Sequence, residues 1–190
     1  MYKAVLDTCV LVPGLQRDFL LQLAVENAYA AVWGTGILFE LDYVLARIYE
    51  SRGIDTEESE RRLIRLFDRM STAFPGSTIE AAKDRAYDYE LTDPDDGHVA
   101  HAAIMGKADA IVTDDGRAGF RTSSTLLAAA IETLSPAEFA ANTVAAHPEA
   151  GLRALEVIAE RRRTTPAVLL AELRDRYEMD DVEATLGALL

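Results

Sequence analysis

The sequence predicts an α/β fold in which a short, mainly parallel sheet is flanked by helices, with a helical extension behind it. The first observation is that short apolar runs alternate with longer helical patterns over residues 1–145, which is typical of a parallel sheet covered by helices. The second is that only helical periodicity remains after His147-Pro148. Because 190 residues fit one domain and no repeat or low-complexity linker interrupts them, we predict an α/β domain at 1–145 and a helical extension at 146–190.

The first five elements follow from apolar spacing and from the residues that interrupt it. A continuous apolar run predicts a short buried strand, whereas apolar residues three and four positions apart predict a helix. Gly53 ends the fourth element, and Asp55 with Glu58 forms a capping-box pattern for the fifth. The predicted elements are a strand at Tyr2–Leu6, a helix at Asp18–Asn27, a strand at Ala31–Trp33, and helices at Ile37–Ser51 and Thr56–Met70.

The remaining elements continue the alternation and then become helical. Phe74-Pro75-Gly76 ends the preceding helix, and Ser135-Pro136 places a proline at the first position of a new one. We predict helices at Ile79–Tyr89 and from Asp95 or Asp96 to Gly106, strands at Ala110–Thr113 and Ile131–Leu134, and a closing helix from Ser135. In the extension, helical spacing runs from Glu149 onward, over Val168–Leu173 and over Val182–Leu190.

The sequence is strongly acidic, and this limits the functional classes to which the protein can belong. The formal net charge is −13, and most of the acidic excess lies in residues 1–145. This argues against a constitutive nucleic-acid scaffold, but not against a nuclease, because a bound metal changes the local field. Cys9 is the lone cysteine, which excludes an intramolecular disulfide and fits a reducing compartment. With neither a signal-peptide pattern nor an apolar run of about 18 residues, we expect a soluble, cytoplasmic protein.

Four short acidic signals, far apart in sequence, each lie where an apolar run ends or a helix begins. They are Asp7, Glu40, the pair Asp95-Asp96, and the pair Asp114-Asp115. A carboxylate at the end of a buried strand is costly unless something cationic meets it. Because ligands of parallel sheets bind at the carboxyl ends of the strands, convergence of these acids would create a site for a hard divalent cation.

Each acidic signal also has a simpler explanation. Asp7 could be a polar cap for the next turn, and Glu40, at the edge of an apolar stripe, could be solvated surface. The acids of Asp93–Asp96 could cap a helix, although one Asp suffices for a cap. Asp114-Asp115-Gly116 could be a turn after a strand. Each of the four explanations is acceptable by itself. Together they are less convincing, because the four signals follow one another along the chain in a single pattern.

That pattern resembles the PIN-domain family, and most closely its VapC toxin type. The resemblance spans about residues 2–143, and its most specific part is the Asp-Pro-Asp-Asp-x-His-Val stretch at 93–99. It implies a three-layer sandwich for residues 1–145. The segments that carry it are Val5–Thr8, Ile37–Leu41, Asp93–Ala103, Ile111–Asp115 with Phe120, and Ser135–Phe139.

Carried over by position, the resemblance implies a set of catalytic and metal-site acids. They are Asp7, Glu40, Asp96 and Asp115, with Asp114 a close second to Asp115. Further residues that the resemblance places at the site are Asp95, as a cap or outer group, Thr113 and Thr8. It also implies Mg²⁺ or Mn²⁺ as cofactor, single-strand-selective RNA cleavage, the role of toxin in a type II toxin–antitoxin pair, a cognate antitoxin and a homodimer.

The chemistry of such acids is coherent without the family. One or two ions held by carboxylates would activate a water, orient the scissile phosphate and stabilise the leaving oxygen. Basic residues close in sequence to the acids could contact substrate or could be solvated surface, and the sequence does not choose; these are Arg117, Arg121, Lys107 and Arg17. It also leaves open the number of ions and the RNA target.

Three alternatives remain to be weighed against the nuclease. His98 and His101 suggest zinc, but no thiolate cluster or His-x₃-His pattern supports a structural zinc site, so a packing role is the simpler explanation. Neither a phosphatase Asp-x-Asp motif, which Cys9 interrupts, nor a P-loop is present. A non-catalytic PIN-like RNA- or protein-interaction module stays open, although the complete acidic set favours the enzyme.

Overall fold

Five strands form the central sheet of the protein, which a computed structural model describes over residues 1–190. They are β1 (Lys3–Leu6), β2 (Ala30–Gly34), β3 (Thr78–Ile79), β4 (Ala110–Val112) and β5 (Glu132–Leu134). Their order across the sheet is β3-β2-β1-β4-β5, and every pairing is parallel. The chain therefore builds the sheet outward in one direction from β1 and then in the other.

Ten α-helices cover the sheet and form the C-terminal part. Up to the last strand they are α1 (Thr8–Leu11), α2 (Gly14–Val25), α3 (Thr35–Ser51), α4 (Thr56–Ala73), α5 (Gly97–Gly106) and α6 (Ser124–Ala128). After it come α7 (Pro136–Ala146), α8 (Pro148–Arg162), α9 (Pro166–Tyr177) and α10 (Asp180–Gly187). Short 3₁₀ turns occupy Pro94–Asp96 and Phe120–Thr122. The predicted α/β sandwich with C-terminal helices is confirmed.

The three inner strands are buried on both faces because helices pack on each side of the sheet. Val5 of β1 lies opposite Val32 of β2 and Ile111 of β4, and none of the three is more than 5% exposed. This explains the continuous apolar runs of the strands. The sheet reverses its direction of growth between β1 and β4, and this switch point is where α/β sheets bind their ligands.

The core is one continuous cluster. The alanine-rich helix α5 packs across β1, β2 and β4, and its buried small residues let the helix approach the sheet closely. The largest fully buried side chains lie on α2, on α7, on β2 and directly before β2, and among them the rings of Tyr29 and Phe139 meet edge to face at 4.7 Å. The large members of this cluster are Trp33, Tyr29, Phe19 and Phe139.

The helix predicted at Ile79–Tyr89 is wrong. After β3 the chain is irregular up to the 3₁₀ turn, because its backbone bonds to residues distant in sequence. The carbonyl of Ala81 accepts from Gly36 N at 2.9 Å, and the backbone N–H of Ala81 donates to Thr35 Oγ1 at 3.1 Å. Gly36 allows this approach, since a Cβ there would lie 2.8 Å from the Ala81 carbonyl oxygen.

Smaller differences concern the helices near the ends of the strands. The helix predicted from Asp18 begins at Gly14, directly after Pro13, and the helix predicted to end at Met70 continues to Ala73. The short helices α1 and α6 are not foreseen by periodicity, because four or five residues are too few to show it.

The extension packs on the α/β part through both charged and apolar contacts. In α8, Arg153 pairs with Glu26 at 2.9 Å and Arg162 pairs with Asp18 at 2.7 Å. In the same helix Gly151 faces α7 so closely that a Cβ would lie 3.1 Å from Val144 Cγ1. The division at residue 145 stays a prediction. None of the helices has the length and apolar character needed to cross a membrane.

Candidate metal and nuclease site

The adjacent carboxyl ends of β1 and β4 bring Asp7 and Thr113 together. The backbone N–H of Asp7 donates to the Val112 carbonyl at 3.1 Å, which fixes the register of the two strand ends. The Thr113 hydroxyl then donates to Asp7 Oδ2 at 2.7 Å and accepts from the backbone N–H of Asp115 at 3.0 Å. Thr113 thus ties Asp7 to the loop after β4.

Thr8 ties the same carboxylate to α3. Its backbone N–H donates to Asp7 Oδ1 at 2.6 Å, and its hydroxyl donates to Glu40 Oε2 at 2.8 Å. A hydrogen-bond chain therefore runs from Glu40 through Thr8, Asp7 and Thr113 to Asp115. It joins three segments that are far apart in sequence.

Asp7 is a buried acid that meets no protein cation. It is 7% exposed, and its hydrogen bonds come from Thr8, Thr113 and the Cys9 thiol, the last at 3.5 Å. Burial raises the pKa of Asp7, the hydrogen bonds from Thr113, Thr8 and Cys9 oppose this, and the charge of Glu40 adds to it. A buried carboxylate with only neutral partners is costly to keep ionised unless a cation joins it.

Cys9 fills the space between the two strand ends as a neutral thiol. Burial, and then the charge of Asp7, raises its pKa to about 12. Its sulfur lies 3.4 Å from the Thr113 hydroxyl and accepts from the backbone N–H of Asp114 at 3.4 Å. The thiol therefore holds the loop after β4 in place rather than acting as a nucleophile.

The acidic residues of the Asp93–Asp96 stretch have different roles. Asp93 caps the 3₁₀ turn by accepting from the backbone N–H of Asp95 at 3.0 Å. The side chain of Asp95 is exposed and makes no hydrogen bond, whereas its carbonyl accepts from Lys83 Nζ at 2.9 Å and His98 Nδ1 at 3.0 Å. Asp96 stands at the N-cap position of α5 but makes no capping bond.

Asp96 is therefore a free, half-buried carboxylate facing other acids. Burial raises its pKa to about 6, together with the charges of Asp7, Asp93 and Asp115, while Lys83 acts in the opposite direction. The acids of the β1, β4 and α5 termini thus repel one another across one small region. This is the electrostatic condition that a divalent cation relieves.

Glu40 differs because the protein neutralises it. Lys83 Nζ lies 2.6 Å from Glu40 Oε1, and His98 Nε2 lies 3.3 Å from Oε2 without the alignment of a hydrogen bond. Burial favours the neutral acid, but the contacts of His98, Lys83 and Thr8 outweigh it and lower the pKa of Glu40 to about 2. Sequence reasoning missed Lys83, since its segment was predicted to be a helix and nothing local marks it.

The two acids after β4 have different surroundings. Asp115 is bound to Thr113 through its backbone, and its Oδ1 accepts from the Arg117 backbone N–H at 2.7 Å. Asp114 is exposed, and burial of part of its surface, followed by the charges of Glu178 and Asp7, raises its pKa. Only Asp115 belongs to the hydrogen-bond chain.

The sequence matches the model of a known protein family. The profile described as the PIN domain matches residues 3–117, more than half of the chain. The chain belongs to the PIN-domain family. This membership indicates nuclease-type activity on nucleic acid, and the matched range contains Asp7, Glu40, Asp96 and Asp115. Comparisons with curated proteins and with solved structures give no significant match.

The donor set of this PIN domain suits a hard cation. No three of its His, Cys, Asp or Glu side chains are arranged closely enough to enclose an ion by themselves. Mg²⁺ does not require this, because it keeps several waters and is held by one or two carboxylates plus substrate phosphate. Asp7 and Asp96 supply such oxygens and lack any cation bound to them, so the residues fit the metal that PIN domains generally use.

The two histidines of α5 have separate partners. His98 is 1% exposed and bonds the Asp95 carbonyl, which only accepts, so its Nδ1 carries a hydrogen. His101 stacks on Tyr87 at 4.3 Å and bonds the Tyr89 hydroxyl at 2.6 Å. They orient the loop around the acids from two sides rather than converging on one ion.

The four basic residues suggested as substrate contacts are spread over the PIN domain. Arg117 is 95% exposed beside the acids, and Arg121 pairs with Glu138 at 3.5 Å. Lys107 lies at the far end of the ten-residue α5, about 15 Å from the helix start at the acids, and this distance speaks against contact at the site. Arg17 lies on α2, in a cleft between α2, α4 and α8.

Proposed function

We propose that this PIN protein is an Mg²⁺- or Mn²⁺-dependent endoribonuclease that hydrolyses RNA phosphodiester bonds, acting in the cytoplasm as a VapC-type toxin. One observation carries the proposal: the strand ends and α5 gather acids at the sheet's switch point, and two of them, Asp7 and Asp96, have no protein cation. Mutually repelling acids gathered in one small region are typical of a catalytic or metal site.

Asp7 and Asp96 are the residues we assign to hold the metal, with Asp115 completing the site directly or through water. When bound, the ion would supply an activated water and offset the charge on the phosphate. Asp7 is held ready by Thr8 and Thr113, one on each carboxylate oxygen. Its orientation is therefore fixed before any ligand arrives.

Glu40 we assign to positioning. With both of its oxygens engaged and a pKa of about 2, Glu40 is a poor proton acceptor near neutral pH. Its charge instead anchors Lys83 and His98, which both bind the Asp95 carbonyl. Glu40 thereby fixes the loop that presents Asp96.

The test is cleavage of a mixed panel of single-stranded RNAs by the purified protein in Mg²⁺, in Mn²⁺ and in EDTA. Asp96→Asn is expected to abolish metal-dependent cleavage, and Asp95→Asn, one residue away and without side-chain bonds, is the matched control that retains it. Full activity of Asp96→Asn sinks the proposal. Tight RNA or protein binding that is indifferent to substitution of Asp7 and Asp96, without cleavage, identifies the interaction module instead.

The toxin role adds two partners. An antitoxin could insert an arginine among the unpaired acids, because a guanidinium binds carboxylates in a bidentate manner. A homodimer could use the exposed Phe39 and Tyr43 of α3, which are 68% and 58% exposed. Growth arrest on expression that Asp96→Asn relieves would support the toxin, and light scattering of the pure protein measures the oligomer. Normal growth with active wild-type protein would contradict it.

A further inference from the structure

A second charged feature lies away from the acids, in a cleft of about 1000 Å³ between α2, α4 and α8. We call it the arginine cleft, because five arginines line it beside only two carboxylates, those of Asp18 and Asp68. Such an excess of positive charge is unexpected in a chain of formal charge −13. The five are Arg17, Arg62, Arg65, Arg69 and Arg161.

Three of these arginines have no partner in the protein. Arg62 pairs with Glu58 at 2.7 Å and Arg17 lies 3.9 Å from Asp18, whereas Arg65, Arg69 and Arg161 form no ion pair. All three are exposed. Their guanidinium groups are therefore available to a ligand.

The arginines that α4 contributes to the middle of the cleft are less balanced by acids than those earlier in the helix. Earlier in the helix, Arg61 and Arg62 pair with glutamates one turn away, as solvated helices do. Arg65 and Arg69 instead follow Arg61 at successive intervals of four residues, and like charges at that spacing destabilise a helix. An anion in the cleft would turn this repulsion into attraction.

The cleft begins close to the acids. Arg17 Nη1 donates to the carbonyl of Leu11 at 2.9 Å, and Leu11 ends the four-residue helix that starts after Asp7. At 1.5 Å per residue that helix spans about 6 Å. The Nε of Arg17 is buried and lies 3.9 Å from Asp18 Oδ1, so this guanidinium is held in place at the near end of the cleft.

Aromatic rings accompany the arginines. Tyr49 of α3 lies under the guanidinium of Arg62 at 5.7 Å, and Phe74 lines the end of the cleft. Arginines that pair phosphates, placed beside aromatic rings, are a combination by which proteins track single-stranded nucleic acid. An acidic protein segment would use the arginines but not require the rings.

We propose that the arginine cleft holds the phosphate backbone of the single-stranded RNA on one side of the cleavage point. This rests on the proposed ribonuclease function, which it deepens by assigning a path to the substrate. Arg65, Arg69 and Arg161 each contact phosphate, and Arg17 marks where the strand passes from the cleft toward Asp7.

The test is fluorescence anisotropy of a fluorescein-labelled single-stranded RNA of mixed sequence, titrated with full-length protein in EDTA at several salt concentrations. The cleft variant is Arg65→Gln/Arg69→Gln/Arg161→Gln. Because each phosphate contact on a single strand contributes about 0.7 to the slope of log K against log salt, losing three lowers the slope by about 2 and weakens binding by about ten- to a hundredfold at 0.1 M salt. The triple lysine variant keeps the charge and is expected to keep most of the slope.

The matched control is Arg47→Gln/Arg61→Gln/Arg176→Gln, which removes three exposed arginines that do not line the cleft. Unchanged RNA binding and salt slope in the cleft variant, with metal-dependent cleavage intact, overturns the cleft while leaving the nuclease standing. Absence of cleavage by the wild type fails the proposed function separately. Displacement of the RNA by polyglutamate of equal charge, at equal concentration, overturns the RNA assignment in favour of an acidic protein partner.

Discussion

Asp96→Asn is expected to stabilise the metal-free protein. The structure keeps this carboxylate half-buried, without hydrogen bonds and near three other acids, and its pKa is raised to about 6 from an ordinary 3.8. A group whose folded-state pKa is raised favours folding below its unfolded pKa and loses that contribution as the pH rises through the folded value. Wild-type stability should therefore fall between about pH 4 and pH 6, and the penalty should persist above that.

The size of the effect follows from the shift. At 1.36 kcal/mol per pKa unit, a shift of about two units corresponds to about 3 kcal/mol. Because the Asp96 carboxylate partly faces solvent, screening reduces this, and we expect a gain of about 1–2 kcal/mol for the asparagine variant at neutral pH. Asp95→Asn should change stability by less than about 0.5 kcal/mol, because that side chain is exposed and unbonded.

Urea unfolding in EDTA at a series of pH values measures this directly. The same titration in excess Mg²⁺ should reverse the order, since binding at a hundred times Kd adds about 2.7 kcal/mol to the wild type and much less to the variant. The reasoning is refuted if Asp96→Asn is less stable than wild type in EDTA at neutral pH. It is also refuted if Mg²⁺ stabilises both proteins equally.

Three further predictions concern the groups around the acids. Lys83→Met removes the cation 2.6 Å from Glu40, so the pKa of Glu40 should rise from about 2 toward its usual value, as an NMR titration of that carboxyl measures. Thr113→Val deletes the hydroxyl that donates to Asp7, and urea unfolding should show a loss of about 1–3 kcal/mol. Gly36→Ala places a Cβ 2.6 Å from a buried histidine ring, and calorimetry should show a lower Tm from an overpacking cost of about 1–3 kcal/mol.

Each of these has a control of the same chemistry elsewhere. Lys107→Met removes a lysine at the far end of α5 and should leave the Glu40 pKa unchanged. Thr122→Val removes an exposed hydroxyl, and Gly116→Ala adds a Cβ with nothing within 4 Å, so both should be near neutral. Equal effects in a variant and its control would show that the site contacts do not have the assigned role.

The secondary structure was predictable where apolar residues recur at a regular spacing. It was not predictable where contacts between residues distant in sequence determine the backbone conformation. The strand β1 and the helix α3 were predictable from their apolar spacing, because the apolar residues that create the pattern are the ones that the fold buries. The segment after β3 has helical spacing but does not form a helix, because its residues bond to distant parts of the chain. Ala81 N donates to Thr35 Oγ1 at 3.1 Å, and Lys83 pairs with Glu40. The order of the strands was likewise outside the reach of local patterns.

At the site, the positions of the acidic residues were predictable from the sequence, but the role of each acid was not. Acids at strand ends can be found from sequence because a buried strand that stops in a carboxylate is unusual, as at Asp7. Which acid of the 93–96 stretch acts as a cap depends on backbone geometry. Only the structure shows that Asp93 makes the bond, while Asp96 at its N-cap position does not. The role of Lys83 needed the three-dimensional contact.

The protein keeps the unpaired acids of the site apart from the unpaired arginines of the arginine cleft. This separation favours one type of ligand. Asp7 and Asp96 would bind Arg65 or Arg69 if the fold let them meet, and the resulting ion pairs would close the site and lower the pKa of both acids. Instead the acids lie at the strand ends and the arginines lie beyond α1. RNA with a divalent cation carries both opposite charges at once, whereas a cation alone or an acidic peptide satisfies only one of the two sets of charges. Metal binding should therefore be indifferent to the arginine cleft, while RNA binding should depend on it.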